Sequence, residues 1–455
     1  MRLPPYPTYL SSGVDWLDKI PENWKVQRLK TTAKYWVSSV NKIPSEDELP
    51  VRLCNYTDVY YNEFIHSEMD FMETTATQDE IRKFGLLVGD VVITKDSEEW
   101  DDIAVPALVI ETASDLVCGY HLAIIRSNSK KILGSFLFRA LQSTAINYQF
   151  QIAATGVTRY GLPKSAIGEA LIPLPPLQDQ ELIAKFLDHE TSQLDALVAK
   201  KQELINKLKE KRTALISWTV TRGLPPKAAR AAGLNPNPFL KPSGIEWLGD
   251  IPIHWDVKRI KHLGLIRYGL GEPPEYVDDG IPFIRATDIN KGKIDLDLVK
   301  KIRREDIPWS RNPELKINEI LIVRSGAYTG DSAIVTKEVA GCIAGYDMVL
   351  TVTSAEPHFL AWVFLSKYML QSQIHVERLR AAQPHLNAEE LSGFVVLVPP
   401  VYEQQSIAVF LNKETDVIDG MILKNENAIK LLQEYRNALI TASVTGKIDV
   451  RGMSA

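Results

Sequence analysis

Residues 173–190, PLPPLQDQELIAKFLDHE, and residues 397–414, LVPPVYEQQSIAVFLNKE, are two versions of one phrase. In each, an apolar strand-like lead runs into two prolines, and a polar step opens a long helical pattern. Proline has no N–H to give to a sheet ladder, so it ends a strand; its fixed φ suits the first turn of a helix. Past each start the apolar residues fall seven apart: Leu187, Leu194, Lys201, Leu208 and Leu215, then Leu411, Ile418, Asn425, Leu432 and Leu439. Leu197 and Leu204, with Met421 and Ala428, supply the second seam position. This repeat predicts two helices of about 40 residues, ~60 Å long, paired as a coiled coil.

Outward from this phrase, the chain is an internal duplication. SGVDWLDKIPENWKVQRLK starts at Ser12 and SGIEWLGDIPIHWDVKRIK at Ser243. NYTDV (Asn55–Val59) echoes RATDI (Arg285–Ile289), GDVVITKDS (Gly89–Ser97) echoes NEILIVRSG (Asn318–Gly326), and GYHLAII (Gly119–Ile125) echoes GYDMVLT (Gly345–Thr351). The edges of the halves agree while their middles diverge, as expected of one scaffold carrying two binding surfaces. The linker TRGLPPKAARAAGLNPNPFLKPSG corresponds to the C-terminal TGKIDVRGMSA joined to the N-terminal PPYPTYLSSG. The two ends of the chain are therefore expected to lie together, and the helices to run antiparallel about a pseudo-two-fold axis. In such a pair, centred on Lys201 and Asn425, Lys201 is expected to approach Asp419 and Asn425 to approach Asp195.

Short β-type runs (VVIT, HLAIIR, EILIVR, MVLTV) alternate with helical patterns and turn residues, which predicts an α+β fold. Two mixed, β-rich domains are separated by the two long helices. The expected boundaries are 1–170 for the first domain, 171–225 for the first helix, 226–242 for a linker, 243–395 for the second domain and 396–455 for the second helix and tail.

A hydrophobic content of 45% and a charged content of 24% fit a globular protein. No apolar run reaches the ~18 residues of a membrane span, and MRLPPYPTYL lacks the pattern of a signal peptide. Cys54, Cys118 and Cys342 form no CxxC, which argues against a disulfide framework and fits a reducing cytoplasm. The formal net charge of −5 argues against indiscriminate coating of nucleic acid and leaves room for local basic faces or for binding within a larger assembly.

Catalytic chemistry is missing where it would be looked for. A DNA amino-methyltransferase loop needs an acid or amide before its two prolines and an aromatic ring after them. Here Leu174 and Leu177, or Val398 and Val401, stand in those places. SGAYTGDS (Ser325–Ser332) has no lysine before Ser332 and cannot be a phosphate-binding P-loop. Asp188-His189-Glu190 has no metal-ligand spacing, and His121 has no acidic or cysteine cluster beside it in sequence, so packing or hydrogen bonding is its expected role. No catalytic, cofactor or metal residues are assigned.

Two divergent domains alternating with two similar helices, each helix introduced by IPLPPLQDQELIAKFLD or VLVPPVYEQQSIAVFLN and each domain opened by SG(V/I)(D/E)WL…IPxxW, closely resemble the DNA-specificity subunit of type I restriction–modification systems. The resemblance covers nearly the whole chain. It implies a non-catalytic, cytoplasmic prokaryotic subunit whose domains each read one half of a split site in double-stranded DNA. It implies helices that set the gap and dock two methyltransferase subunits, and motor–nuclease subunits that join the assembly. S-adenosylmethionine, ATP and Mg would serve the holoenzyme, with no cofactor in this chain and no membrane. A stand-alone binder of bipartite DNA sites is the alternative, and a coiled-coil adaptor that binds no DNA is a further one.

In the family, divergent loops read bases, and this maps two stretches per half. The first is TKDSEEWDD (Thr94–Asp102), with Lys95, Asp96 and Ser97 as candidate contacts, matched by RSGAYTG (Arg324–Gly330), with Arg324, Ser325, Tyr328 and Thr329. The second is TGVTRYGLPKS (Thr155–Ser165), with Thr158, Arg159 and Tyr160, matched by RAAQPHLNAEE (Arg380–Glu390), with Gln383 and His385. Arginine can grip guanine or phosphate, amides can pair with base edges, and carboxylates can accept from cytosine amino groups.

Overall fold

The computed structural model describes residues 4–378 and 384–453. The chain divides into two compact units. One holds Met1–Lys201 with Asn427–Ala455, the other Gln202–Glu426, so each long helix contributes to both.

In the first unit, a five-stranded sheet runs in the order Ala33–Val37, Leu122–Ser127, Val91–Thr94, Pro106–Val109, Phe64–Ile65. It is antiparallel except for the last pair. The central VVIT run is buried throughout, which is why it lacks an alternating pattern. A three-stranded sheet (Leu116–Cys118, Leu49–Cys54, Met72–Ala76) packs beside it, and Cys54 and Cys118 sit in register, free and buried.

In the second unit the equivalent main sheet is Gly264–Tyr268, Met348–Val352, Ile320–Ile322, Ser332–Ile334. A second four-stranded sheet is built from Tyr276–Val277, Lys300–Ile302, Ile281–Ile284 and Ile343–Ala344.

The repeated phrases meet in space. The strand leading into the first Pro-Pro, Leu171–Leu174, pairs antiparallel with Lys25–Arg28 of the WKVQR motif. Val395–Val398 pairs in the same way with Asp256–Arg259 of WDVKR. A glutamine in the first helical turn then folds back on each joint. Gln180 Nε2 donates to Pro175 O at 2.9 Å and Lys131 O at 3.0 Å, and its Oε1 accepts from Leu133 N at 2.8 Å. Gln404 Nε2 donates to Pro399 O at 2.7 Å, and its Oε1 accepts from Glu356 N at 2.8 Å. Both amides are buried, so these bonds form without competition from water. The Pro-Pro is thus a structural joint, stiff at its prolines and bolted by a glutamine.

The chain ends lie together, as the circular repeat implied: Asp449 N donates to Pro4 O at 2.8 Å, and Arg451 stacks 4.7 Å over Tyr6. Gly446 (φ +73°) lies so close to Pro21 and Trp24 that a side chain would clash with the proline ring.

The helices span Leu177–Arg222 and Val401–Val444. Within the second unit Arg212 meets Asp419, and Lys209 meets Glu426 at 4.0 Å, so these arms are antiparallel. The heptad expectation needs two corrections. Leu197, Leu204 and Met421 point outward, at 43%, 45% and 48% exposure. The second seam position lies four residues after the first: Thr191, Ile205 and Thr219 in one helix, Thr415 and Ser443 in the other, are all buried. A period of seven permits either a three- or a four-residue offset. Leucines favoured the first on hydrophobicity, but the side from which the partner approaches selects the second. The polar register also differs. Asp419 is held by Arg212 (2.8 Å) and Lys293 (3.6 Å), and Asp195 by Arg436 (2.9 Å). Each arginine stands eleven residues, about three turns, past the expected partners Lys201 and Asn425. An arginine's forked donors bind a carboxylate more specifically than an ammonium or amide does.

Candidate nucleic-acid interface

The two stretches singled out in each half are brought together in the fold. In the first unit, Asp96–Ser97 and Tyr160–Gly161 pair antiparallel, with Tyr160 opposite Ser97, and Thr155–Gly156 adds the third strand. Leu162 N donates to Lys95 O at 2.8 Å. In the second unit Leu386 N donates to Arg324 O at 2.8 Å, Gly326 N donates to Pro384 O at 3.2 Å, and Ser325 bridges His385. The same backbone scaffold therefore presents two unlike sets of side chains.

In the first unit the inner members are tied to one another. Asp96 Oδ1 receives Lys95 Nζ at 3.0 Å, and its Oδ2 lies 2.6 Å from His121 Nδ1. Burial pushes the Asp96 carboxyl up, but the bonds from His121 and Lys95 outweigh it and hold it below the usual range. Ser97 is buried, with its Oγ accepting from Glu99 N at 3.2 Å. Thr158 and Arg159, in contrast, are exposed at the tip of the 155–161 hairpin, and Tyr160 is half-buried. The tip needs glycine at 156: its φ is +149°, and a Cβ would fall 2.0 Å from Arg159 O. Beside the hairpin lies a cavity of ≈ 660 Å³ lined by Tyr56, Tyr60, Tyr61, Tyr120, Asp102 and Arg159. Tyr56 and Tyr60 stack at 5.4 Å, and Tyr60 Oη donates to Asp102 Oδ2 at 2.6 Å.

In the second unit Arg324 is the centre. Its guanidinium lies over the rings of both Tyr268 (4.7 Å) and Tyr346 (4.3 Å), and Nη2 is 3.4 Å from His385 Nε2. Its Nε is buried and has no hydrogen-bond partner among the described residues. Two aromatic faces fix the plane of the fork before any ligand arrives. Tyr328 is 49% exposed beside it, Ser325 and His385 are half-buried, and Thr329 is buried, its hydroxyl 2.7 Å from Gly326 O. Gln383 lies outside the described residues.

Sequence reasoning missed the two tyrosines flanking Arg324 and the tyrosine cluster of the first unit. Part of the signal was present: Tyr120 and Tyr346 are counterparts in the repeated GYH and GYD, but period and spacing do not tell which ring will face a loop distant in sequence.

Under Arg324, Asp347 is 2% exposed; its Oδ1 accepts from Arg324 N at 3.2 Å, and its Oδ2 has no hydrogen-bond partner among the described residues. Burial raises its pKa to about 6. A carboxyl raised in the folded state favours folding most below the unfolded value near ~4, and that contribution is lost as pH rises through about 6. Asp347→Asn keeps the acceptor and removes the buried charge. It is expected to stabilise the second unit by on the order of 2 kcal/mol at pH 8 and to have little effect at pH 4, measured by denaturant unfolding at the two pH values.

Residues 21–210 and 252–431 match the family described as type I restriction modification DNA specificity domain. Two matches, one in each half and together covering most of the chain, show that this protein belongs to that family. Among its relatives, the EcoBI specificity subunit of Escherichia coli is 26% identical over 69% of this chain, and the aligned part is 65% of that subunit. The putative MjaX specificity subunit of Methanocaldococcus jannaschii is 22% identical, with 96% of both chains aligned. The fold is shared with a chain from a structural study of complex assembly and conformational transition of the type I R-M system (TM-score 0.67, 16% identity, 94% of this chain and 99% of that one). The HsdS subunit from Thermoanaerobacter tengcongensis shares it too (TM-score 0.51, 15% identity, 96% of this chain and all of the other). Among the described residues, no helix is long and apolar enough to cross a membrane and no group of three or more His, Cys, Asp or Glu could hold a metal ion.

Proposed function

We propose that each unit reads one half of a bipartite double-stranded DNA site, and that the paired helices set the unspecified gap. The observation that carries this is the repeated scaffold: the same pairing of the segment after the central strand with the segment before the Pro-Pro strand recurs in both units, with Lys95, Asp96 and Arg159 on one and Arg324, Ser325, Tyr328 and His385 on the other. One backbone geometry with unlike donors and acceptors is what two different half-sites require. The chain serves as the non-catalytic recognition subunit. The helices also dock two methyltransferase subunits, with motor–nuclease subunits completing a cytoplasmic holoenzyme that uses S-adenosylmethionine, ATP and Mg.

Arg159 and Thr158 are the outward-facing candidates of the first unit, and the Lys95–Asp96–His121 group holds the loop beneath them. Arg159→Ala is expected to cost ~1–3 kcal/mol in affinity and to relax preference at one base pair of one half-site. Methylome sequencing of cells carrying the variant with its methyltransferase partner would show this as a degenerate position; an unchanged motif and occupancy would refute the assignment. The same experiment on the unaltered chain tests the whole reading, which requires a bipartite methyl-adenine motif. A solitary chain that binds a split site tightly, with no co-purifying methyltransferase, would favour the stand-alone binder instead.

A further inference from the structure

Among the contacts that join each domain to its helical arm is one side-chain pair at matching positions, and the two halves use different chemistry there. After the long strand Leu122–Ser127, the helix Gly134–Gln142 buries Phe136 and, one turn on, carries Arg139. After Met348–Val352, the helix Pro357–Phe364 buries Phe359 and carries Trp362 at the same step. Their partners are also counterparts, each following a buried helix leucine: Asp188 after Leu187, and Asn412 after Leu411.

In the first unit Arg139, 1% exposed, donates through Nε and Nη2 to Asp188 Oδ1 at 3.0 and 2.8 Å. Its Nη1 reaches Gln142 Oε1 at 2.8 Å and Glu63 Oε2 at 3.3 Å. Glu63 also binds Arg436, which holds Asp195. In the second unit Trp362 Nε1 donates to Asn412 Oδ1 at 2.9 Å, and the seam residue Arg212, counterpart of Arg436, lies 5.6 Å over the indole. One seat is an ionic chain, Asp188–Arg139–Glu63–Arg436–Asp195; the other is a neutral hydrogen bond under a cation–π contact.

We infer that Arg139–Asp188 and Trp362–Asn412 are matched seats: positioning pairs that fix each domain's angle on its own arm, each working only with its own partner. The reason is electrostatic. Arg139 is too buried to lose its carboxylate without cost, since Glu63 is already shared with a second arginine. An indole N–H asks only for one acceptor, which an amide oxygen supplies without a charge. The consequence for gap length rests on the function proposed above; the seat itself does not.

The test is a double-mutant cycle in the full-length chain, read by amide hydrogen exchange in helix 134–142 and strand 64–65 without DNA. Asp188→Asn alone is expected to lower protection about tenfold, and the same change in an Arg139→Trp background less than about twofold. Equal loss in both backgrounds would overturn the matched seat. Should the first-unit variants fail to fold, Asn412→Asp in the wild-type and Trp362→Arg backgrounds asks the same question of the second unit. There Trp362→Arg is expected to be costly beside Asn412, whose amide cannot neutralise the added charge, and to be rescued by Asn412→Asp; equal cost with and without that second change would again overturn the seat. The functional readout is methylation by the chain with its methyltransferase partner on sites of graded gap length. Asp188→Asn is expected to broaden the profile and the double variant to restore it. An unmoved profile beside a changed exchange pattern would overturn the positioning role. A wild-type chain with no bipartite preference would instead refute the functional reading and leave the exchange result intact.

Discussion

Gln180→Ala is expected to destabilise the first unit by about 3 kcal/mol. The amide is fully buried and makes three bonds at the strand–helix joint, to Leu133 N, Pro175 O and Lys131 O. Truncation orphans one donor and two acceptors, each worth roughly 1–3 kcal/mol when left unpaired out of reach of water, with part recovered by relaxation. Gln180→Glu separates hydrogen bonding from packing. Its shape is unchanged, but an oxygen then faces two carbonyl oxygens, so it is expected to be at least as damaging as alanine. Denaturant unfolding with exchange protection at Leu133 and along 171–174 would measure both. A glutamate variant as stable as the parent would show that the site needs only volume. Gln404→Ala, with two such bonds, is expected to cost somewhat less in the second unit.

Arg324→Ala is expected to weaken DNA binding by ~1–3 kcal/mol and to relax preference at one base pair of the other half-site. The geometry makes this arginine different from the exposed Arg159. Its guanidinium plane is already set by Tyr268 and Tyr346, so little side-chain freedom remains to be lost on binding. Arg324→Lys keeps the charge but has neither the flat fork nor the stacking. It is expected to retain the salt-dependent, sequence-independent part of binding while losing the base preference. Binding measured across a salt series on sites varied one base pair at a time distinguishes the two parts. If lysine preserves the preference, Arg324 contacts phosphate and not a base.

The duplicated phrase made much of the architecture legible. Pro-Pro after an apolar run, followed by a heptad pattern, correctly predicted two strand-to-helix joints and two long helices, because proline chemistry and periodicity are local. The circular match of linker to termini predicted the contact now seen between Asp449 and Pro4. The sequence was less informative about the seam. Leu197 and Leu204 looked apolar enough to be inside, yet Thr191, Thr219 and Arg212 take those places. Thr191 can be buried because its hydroxyl bonds Leu187 O at 2.7 Å within its own helix, and Arg212 can be half-buried because Asp419 meets it. In the candidate interface, the loops were found by matching the halves, but whether a residue faces inward or outward was not. Asp96 turns toward His121, twenty-five positions on and a partner no spacing rule would supply, and Lys95 turns toward Asp96.

The amino-acid sequence by itself determined the duplication, the strand–proline–helix joints, the helix lengths and the family, because each rests on repeats, fixed dihedrals or periodicity within a few turns of chain. Only the tertiary structure decided which seam position is buried, which carboxylate each arginine holds, and that one domain is seated by Arg139 on Asp188 while the other is seated by Trp362 on Asn412. Those choices depend on groups 49 to 241 residues apart arriving within hydrogen-bonding distance. Burial then decides their worth, since a charge needs its partner only where water cannot replace it.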